Sequence, residues 1–357
     1  MQKDVRVSIV GATGLVGECL IRAVLGHPKC KLSLLVSDHA AGKPIGELLP
    51  ALRGETDLKT CAATAEEVAK HSDVVFTAKK GTESFAVVPG LIKLGAKVID
   101  MGGEFRFKDP AIYERWYKEP HGCKDLLEQS VYGLPELFAE QICGAKLVGN
   151  PGCYVTSAVL ALAPLLDGGL IERDGIVVDS YSGLSGAGRQ FNQKQSNLFV
   201  DIDGNMKAYN VGSHRHTPEI ENALTMYCGR GRQNYPPLTL TFVPHLVPLD
   251  RGILTTTFAR PKAGLTSAQA LDAMKSFYAK RQAPFVRVLD ALDQVAVSNV
   301  VRSNYCDVSV SVLERSNQVV FTSALDNLVK GAAGQALQNL NLMCGFEETM
   351  GLRGRSL

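Results

Sequence analysis

The stretch GNPGCY, residues 149–154, places one of the nine cysteines between a Pro-Gly pair and an aromatic residue. A short strand is expected before it and an apolar helix after it, at Val155–Leu166. A thiol at a helix N-terminus meets free N–H groups and the positive end of the helix dipole, which stabilise a thiolate. The same N–H groups can hold an oxyanion on an attacked carbonyl. The pattern predicts Cys153 as a nucleophile. The alternative is a small buried hydrophobe, which we expect for the other eight cysteines.

A thiolate nucleophile needs a group that moves protons, and two of the seven histidines lie together in GSHRHTPEI. Thr217 there predicts a helix N-cap, with Pro218 at the first helical position. Because that helix end would hold His216 in place, we favour His216 over His214 as the acid/base. His245, in VPHLVPLDRG, is a third candidate. A metal pair is the poorer interpretation, since no cysteine or carboxylate cluster accompanies the two histidines in sequence.

Three further segments offer anion-binding groups. SGLSGAGRQ, residues 182–190, contains Ser182 and Arg189 and can bind an anion or a nicotinamide amide, or serve only as a flexible loop. Arg106, in DMGGEFRFKD, follows a predicted strand and suits a bidentate phosphate or carboxylate anchor. Arg251, in LDRG, is a similar candidate. A solvated surface position is the alternative for both arginines.

GATGLVG, residues 11–17, lies between a β-branched run at Val5–Val10 and a predicted helix. Its middle glycine comes one place later than in G-x-G-x-x-G, but the physical requirement is the same. Glycines allow a tight strand-to-helix turn and bring phosphates close to the free N–H groups of the helix. The context predicts a dinucleotide site of the Rossmann kind. A turn that only packs the helix on the strand is the alternative.

The end of the second predicted strand, Lys31–Ser37, bears on which dinucleotide binds. NAD sites place a carboxylate there to bind the ribose hydroxyls. Here Ser37 ends the strand and is followed by Asp38 and, further on, Lys43. Serine and lysine suit a 2′-phosphate better than a carboxylate does, so the sequence favours NADP while Asp38 leaves NAD open.

The order of elements predicts two domains, as expected for 357 residues. The first 150 residues alternate strands and helices, which is typical of a doubly wound parallel sheet. After Cys153 strands dominate, with long connections and few helices, and predict an α+β domain with a mostly antiparallel sheet. The fold class is therefore α/β followed by α+β. A sheet of this breadth often pairs with its copy, so a homodimer or homotetramer is expected.

Composition excludes several classes of partner. The formal net charge of +2 gives no reason to expect nucleic acid, and no apolar run has the length of a membrane span. The N-terminal MQKDVRVSIVG has no secretory h-region. The cysteines are odd in number, widely spaced and free of C-x-x-C pairs, which indicates reduced thiols. A cytoplasmic protein that binds a small molecule and holds no metal is expected.

These motifs together resemble the N-acetyl-γ-glutamyl-phosphate reductase family of arginine biosynthesis. The resemblance rests on GATGLVG, GNPGCYVTSA, SGLSGAGR, HRHTPEI, VPHLVPLDRGIL and DNLVKGAA, and it extends from Val5 to about Gly351. The family is similar in plan to aspartate-semialdehyde dehydrogenase. It implies an NADP-binding Rossmann domain, 1–152 plus 327–357, and an inserted substrate and dimerisation domain, 153–326. The C-terminal helix, near 328–343, would return to the first domain.

By position, the resemblance implies roles for individual residues. Cys153 would attack an acyl phosphate, a thioester would follow, NADPH would reduce it and His216 would act as acid/base. Arg106, His214, Arg251 and Ser182 would bind substrate. The residues assigned to the cofactor are Gly11, Thr13, Gly14, Leu15, Val16, Gly17, Ser37, Ser185, Gly186 and Asn327.

The chain departs from the family pattern at three places. TAKKGTES follows the DVVF strand where many members carry a histidine, Glu104 stands where Asp is common, and Ser157 where Gly or Ala is usual. Two other functions stay open. One is reduction of another acyl phosphate, carrier-bound aminoadipyl phosphate or aspartyl phosphate. The other is a catalytically silent NADP-binding regulator, against which an intact Cys-His pair argues.

Overall fold

A computed structural model describes residues 4–188, 200, 202–233 and 235–354. The chain forms two compact units, Met1–Pro151 with Ala332–Leu357 and Gly152–Gly331. It therefore leaves the first unit immediately before the Gly-Cys pair of GNPGCY. The return lies at Ala332, a few residues after the position that the sequence analysis gives.

The first unit contains a parallel sheet. Its strands, in the part of the unit that the structure describes, are β1 Val5–Val10, β2 Cys30–Val36, β3 Thr60–Cys61, β4 Val74–Thr77, β5 Lys97–Asp100, β6 Ser130–Tyr132 and β7 Leu147–Gly149. They lie in the order β3-β2-β1-β4-β5-β7-β6. Every pairing is parallel, which confirms the predicted Rossmann-type sheet. The carboxyl ends of β1, β2 and β4 therefore meet at one edge, where ligands lie in such sheets.

The helices of this unit connect and cover the strands. They are α1 Leu15–Leu25, α2 Ile45–Leu48, α3 Ala65–His71, α4 Thr82–Lys93, α5 Pro110–Tyr117, α6 Lys124–Leu127 and α7 Pro135–Cys143. A C-terminal helix, Gly334–Cys344, also belongs to the unit. A π-turn, Val329–Ala333, precedes it, so the predicted single helix at 328–343 is two elements.

Buried amides attach the C-terminal helix to the first unit. Asn339 donates to the carbonyl of Gly133 at 2.8 Å and to Oδ1 of Asn150 at 3.0 Å. Asn341 Oδ1 lies 2.9 Å from Nε2 of His27. Since buried amides are costly unless they are bonded, these contacts fix the register of the helix. They also hold Asn150, the second residue of GNPGCY.

The second unit contains a mixed sheet. Its strands, within the described residues, are β8 Ile176–Ser182, β9 Lys207–Ala208, β10 Leu240–Leu246, β11 Ile253–Ala259, β12 Val286–Val288, β13 Cys306–Leu313 and β14 Gln318–Leu325. They lie in the order β12-β13-β14-β11-β8-β10-β9. The β10–β8 and β12–β13 pairs are parallel and the others antiparallel, which confirms the mostly antiparallel prediction. Strand β10 includes Pro244 and His245.

The helices of the second unit are α8 Cys153–Asp167, α9 His216–Gly229, α10 Ser267–Arg281 and α11 Val297–Val300. Helix α8 is buried along nearly its whole length. Ser157 donates to Thr255 at 3.0 Å and shares a 2.8 Å hydrogen bond with Ser323, so helix and sheet are joined by hydroxyls. This network satisfies the serine that stands where Gly or Ala is usual. It fixes the helix that begins at Cys153.

No helix in the described part of the chain is long and apolar enough to cross a membrane.

Candidate active site

Cys153 is the first residue of helix α8, and Gly152 is its N-cap, as the sequence predicts. The thiol is half-buried and lies where the free N–H groups of the first turn are concentrated. Gly331 packs against it, because a Cβ built at Gly331 would lie 2.6 Å from the Cβ of Cys153. Helix dipole and backbone donors thus act on a thiol whose surroundings are tightly packed.

His216 lies directly against Gly152, the residue before Cys153. A Cβ built at Gly152 would overlap the Nε2 atom of His216, so this position has room only for glycine. The imidazole comes from the first residue of helix α9. The predicted helix start was therefore wrong: the N-cap is Arg215, and Thr217 lies inside the helix. His216 is held by the helix itself, which places its ring beside the Cys153 backbone.

Glu219 is a site residue that the sequence analysis missed. It lies one turn after His216 in helix α9, is fully buried, and accepts a 2.9 Å hydrogen bond from the N–H of Gly152. His216 and Glu219 therefore both contact Gly152 from the same face of helix α9. The sequence signal that could have identified Glu219 is its position three residues after His216 in HTPE, because this spacing places both residues on the same helix face.

His214 has a different environment from His216. Its Nδ1 accepts a 3.1 Å hydrogen bond from the N–H of His216, and its ring packs among Tyr154, Tyr209 and Phe242 at centroid distances of 5.7, 5.4 and 5.3 Å. Burial, followed by the charge of the neighbouring arginine, lowers the pKa of His214 to about 4. The ring is therefore neutral near pH 7 and serves to position the start of helix α9.

His245, the third candidate, lies on strand β10. Its Nδ1 is 3.0 Å from a carboxylate oxygen of Asp179, and its ring stacks on Tyr181 at 4.7 Å. Its backbone carbonyl accepts a hydrogen bond from Tyr154 at 3.2 Å. The described contacts of its ring thus go to neighbours in the sheet and not to Gly152.

A Gly152→Ala substitution is expected to lower kcat by about 10²-fold, because the added methyl displaces the imidazole by an ångström or more. Cofactor affinity should stay within a factor of two, since the dinucleotide loop belongs to the other unit. Steady-state kinetics and cofactor titration measure the two effects. Gly168→Ala at the other end of α8, where the nearest atom to an added Cβ is 3.3 Å away, is the matched control. Equal kinetics of both variants would contradict the packing argument.

Asn327 joins the predicted loop residues of the second unit. Its Oδ1 accepts from the N–H of Gly252 at 2.7 Å, and its Nδ2 donates to the hydroxyl of Ser185 at 3.0 Å. A Cβ built at Gly186 would lie 3.4 Å from the Ser182 hydroxyl and 3.8 Å from Asn327. Ser182, Ser185, Gly186 and Asn327 thus form one polar cluster. Arg189, from the same loop, lies outside the described residues.

Arg251 lies next to this cluster, with its guanidinium 3.8 Å from a carboxylate oxygen of Asp326. Asp326 is fully buried and accepts from the N–H groups of Arg302, Leu328 and Val329 at 2.7, 2.8 and 3.0 Å. It therefore fixes the turn that brings Gly331 against Cys153. Arg251 is one-fifth exposed, so its guanidinium retains access to solvent and to an anion.

Arg106 lies in the first unit, beyond the carboxyl end of strand β5. Its side chain is buried, and it donates to the carbonyl of Met101 at 3.1 Å. Two buried carboxyls, Asp100 and Glu104, belong to the same segment. Burial and the charge of Glu104 raise the pKa of Asp100 to about 7, and Arg106 partly opposes this. Glu104 accepts from the N–H of Gly81 at 2.7 Å, so the residue that departs from the family pattern fixes the start of α4.

The glycine loop of the first unit has the geometry that a dinucleotide requires. Gly11 has φ +90°, and a Cβ at Gly17 would lie 2.5 Å from the carbonyl oxygen of Ala12. The turn itself therefore requires glycine at both of these positions. A Cβ at Gly14 meets nothing nearer than 3.8 Å, and Gly14 caps α1 without a side-chain hydrogen bond. The space above Gly14 and the first N–H groups of α1 therefore suit a pyrophosphate.

The remaining cofactor residues lie around this loop. Leu15 and Val16 form the start of α1. The hydroxyls of Thr13 and Ser37 are 3.3 Å apart, which joins the loop to the end of β2. All the first-unit residues predicted to bind cofactor thus lie together at the carboxyl edge of the sheet.

Two substitutions in the glycine loop are expected to affect different properties: Gly17→Ala the stability of the fold, and Gly14→Ala the binding of the cofactor. Gly17→Ala should lower the free energy of unfolding by about 1–3 kcal/mol, because the methyl meets backbone atoms that cannot move aside. Gly14→Ala should leave the melting temperature nearly unchanged but weaken cofactor binding about tenfold or more, since the methyl occupies phosphate space. Thermal melts and cofactor titration measure both quantities. Full cofactor affinity in Gly14→Ala would contradict the assignment of the loop.

Two family models match the chain. Residues 6–145 match the NAD binding domain of semialdehyde dehydrogenase, and residues 153–327 match its dimerisation domain. The fold, the cysteine at a helix start and the glycine loop thus define an oxidoreductase of the semialdehyde dehydrogenase class that binds a nicotinamide cofactor. Within this class the chain belongs to the N-acetyl-gamma-glutamyl-phosphate reductase family.

That membership rests on relatives that are similar over nearly the full length. The N-acetyl-gamma-glutamyl-phosphate reductase of Geobacter metallireducens is 45% identical, over 98% of this chain and 99% of its own. The enzyme of the same name from Symbiobacterium thermophilum is also 45% identical, over 98% and 97%. The family resemblance seen in the motifs is therefore confirmed.

Solved structures share the fold at low identity. Aspartate semialdehyde dehydrogenase II of Vibrio cholerae has a TM-score of 0.71 at 18% identity, covering 96% of this chain and 99% of that one. The aspartate semialdehyde dehydrogenase of Candida albicans, solved with NADP, has a TM-score of 0.69 at 16% identity, with the same coverage. These likenesses concern the fold.

Proposed function

We propose that the protein reduces N-acetyl-L-glutamyl 5-phosphate to N-acetyl-L-glutamate 5-semialdehyde and phosphate. The name of its relatives, N-acetyl-gamma-glutamyl-phosphate reductase, supports this proposal. The observation that supports the proposal is the contact of His216 with Gly152, the residue that precedes the Cys153 thiol at the start of α8. A thiolate with an adjacent imidazole suits acyl transfer followed by reduction.

In the first half of the reaction, the Cys153 thiolate attacks the acyl carbon. The tetrahedral oxyanion forms beside the N-terminus of α8, where backbone donors and the helix dipole stabilise negative charge. Phosphate leaves as the carbonyl re-forms, and an acyl thioester remains on Cys153. The N–H of Gly152 is already engaged by Glu219, so we assign the oxyanion to N–H groups further into the helix.

In the second half, a reduced nicotinamide, when bound, supplies the hydride that the thioester carbon accepts. His216 donates a proton to the resulting oxyanion and removes it again as the thiohemiacetal collapses. Cys153 then leaves as a thiolate, which the helix N-terminus stabilises, and the aldehyde is released. The neutral His214 holds the backbone of His216 during these steps.

Charged and polar side chains are proposed to hold substrate and cofactor. Arg106 and Arg251 suit the phosphoryl and carboxylate groups, with Ser182 and His214 as further contacts. The glycine loop residues 11–17 and Ser37 suit the dinucleotide, with Ser185, Gly186 and Asn327 near the nicotinamide. NADP is the proposed form, because Ser37 follows β2 directly and suits a 2′-phosphate.

Assembly and location are also proposals. The match to a dimerisation domain supports a homo-oligomer, a dimer or a tetramer. All nine cysteines are free thiols, which suits the reducing cytoplasm.

The test is NADP⁺ reduction by the purified protein with N-acetylglutamate semialdehyde, in the presence and absence of phosphate. Phosphate-dependent NADPH formation is the expected result. Aspartate semialdehyde serves as the competing substrate. Faster turnover of aspartate semialdehyde would overturn the substrate assignment, and cofactor binding without turnover of either aldehyde would overturn the reductase proposal.

A further inference from the structure

Lys79 crosses the carboxyl edge of the first sheet. Its Nζ lies 3.2 Å from Oδ2 of Asp38 and 3.3 Å from Oε1 of Glu83. The Lys79 side chain is only 13% exposed, whereas the carboxylates of Asp38 and Glu83 are 57% and 59% exposed. The Lys79 side chain is therefore largely shielded from solvent and held at this edge of the sheet, whereas an ordinary surface lysine keeps its ammonium in water.

The strand register shows what the Lys79–Asp38 ion pair spans. Val10 of β1 pairs with Val36 of β2 on one side and with Thr77 of β4 on the other. Asp38 and Lys79 each lie two residues beyond those partners. Because β2 and β4 flank β1, they are about 10 Å apart. The lysine side chain therefore passes over the end of β1, where the glycine loop begins.

The two ends of this span correspond to different parts of a dinucleotide. The glycine loop and the α1 N-terminus suit the pyrophosphate, whereas the segment after β2 is where the adenosine ribose lies in such folds. The Lys79 ammonium lies at the β2 end, beside Asp38. The Thr13–Ser37 hydroxyl pair lies at the same strand end.

We propose that Lys79 is the residue that selects NADPH over NADH, by neutralising Asp38 and contacting the 2′-phosphate. An unpaired Asp38 would repel that phosphate and accept a hydrogen bond from a 2′-hydroxyl. Lys79 compensates the charge of Asp38, and its ammonium, which Glu83 also contacts, can pair with the phosphate. The inference rests on the proposed NADP preference and adds the residue that causes it. It gives Lys79 a function in TAKKGTES, where the family pattern differs.

The experiment measures equilibrium dissociation constants of NADPH and NADH by fluorescence titration, with no substrate present. Lys79→Met should raise the Kd of NADPH at least tenfold, or about 1.4 kcal/mol, and change the Kd of NADH less than threefold. Asp38→Asn should tighten NADPH without tightening NADH. Lys93→Met, an exposed lysine at the far end of α4, is the matched control and should change neither constant. Melting temperatures verify that each variant is folded.

Each contrary outcome has a definite meaning. An equal loss of both cofactors in Lys79→Met would indicate a pyrophosphate contact and overturn the inference. Unchanged NADPH preference in Lys79→Met, or its loss in Lys43→Met instead, would overturn it as well. Wild-type protein that binds NADH as tightly as NADPH would contradict the proposed cofactor itself, and the inference with it. Reductase activity does not enter this measurement, so failure of the proposed reaction is detected separately.

Discussion

Cys153→Ser is expected to lower kcat at least about 10³-fold, while cofactor affinity and melting temperature stay near their wild-type values. A serine hydroxyl in the same place ionises far less readily than a thiol, even at a helix N-terminus, so attack on the acyl carbon becomes slow. The change is nearly isosteric, so packing against Gly331 is retained. Steady-state NADPH formation, a thermal melt and a cofactor titration provide the measurements.

Cys143→Ser is the matched control, because that cysteine is exposed and lies in the first unit. It should retain wild-type kcat. Alkylation adds an independent measurement: iodoacetamide near pH 7 should label Cys153 fastest. Burial raises the pKa of Cys30 to about 12 and of Cys228 to about 11, so these thiols stay protonated. Substantial turnover in Cys153→Ser, or fastest labelling at a buried cysteine, would refute the nucleophile.

Features with a local cause could be predicted from the sequence. The turn at Gly11–Gly17 needs glycine for local reasons, the positive φ of Gly11 and the contact of Gly17 with Ala12, and strand β1 is rich in β-branched residues. The start of α8 at Cys153 follows from the Pro-Gly before it. Such features depend on short-range backbone geometry, and the structure confirms them.

Features caused by distant contacts could not be predicted in this way. Thr217 has the chemistry of an N-cap, yet α9 starts at His216, whose N–H is bonded to His214 and whose ring packs on Gly152. Glu219 carries no local sign that its partner is a backbone N–H some 67 residues earlier. The Lys79–Asp38 pair joins residues 41 apart through strand order. The sequence pattern predicts which groups are reactive, whereas tertiary contacts determine how those groups are placed.

The two histidines of HRH illustrate this division. Sequence spacing left them nearly equivalent as acid/base candidates. The structure describes the surroundings of the His214 ring: it lies among three aromatic side chains, and burial, followed by the charge of Arg215, lowers its pKa to about 4. Above pH 5 this ring is neutral, so it has no imidazolium proton to give to the oxyanion. The proposed proton-transfer role therefore passes to His216.

His216→Gln is expected to lower kcat about 10²- to 10⁴-fold with little change in KM, because the amide can fill the space beside Gly152 but cannot exchange a proton. His214→Asn is the matched variant. Its side-chain oxygen can still accept the His216 N–H, so kcat should fall less than about tenfold. Full pH–rate profiles of both variants measure the difference.

The pH–rate profiles test the two histidines separately. His214→Asn should keep every limb of the wild-type profile between pH 5 and 8, because a group with a pKa of about 4 does not titrate there. His216→Gln should lower kcat throughout that interval, since the side chain that exchanges the proton is gone. A single-turnover experiment identifies the step that His216→Gln affects. The rate of acyl-enzyme formation should fall less than the rate of reduction, because the Cys153 thiolate is still stabilised by the helix N-terminus. If His214→Asn has the larger loss in kcat, or if His216→Gln keeps the wild-type kcat, His216 is not the acid/base.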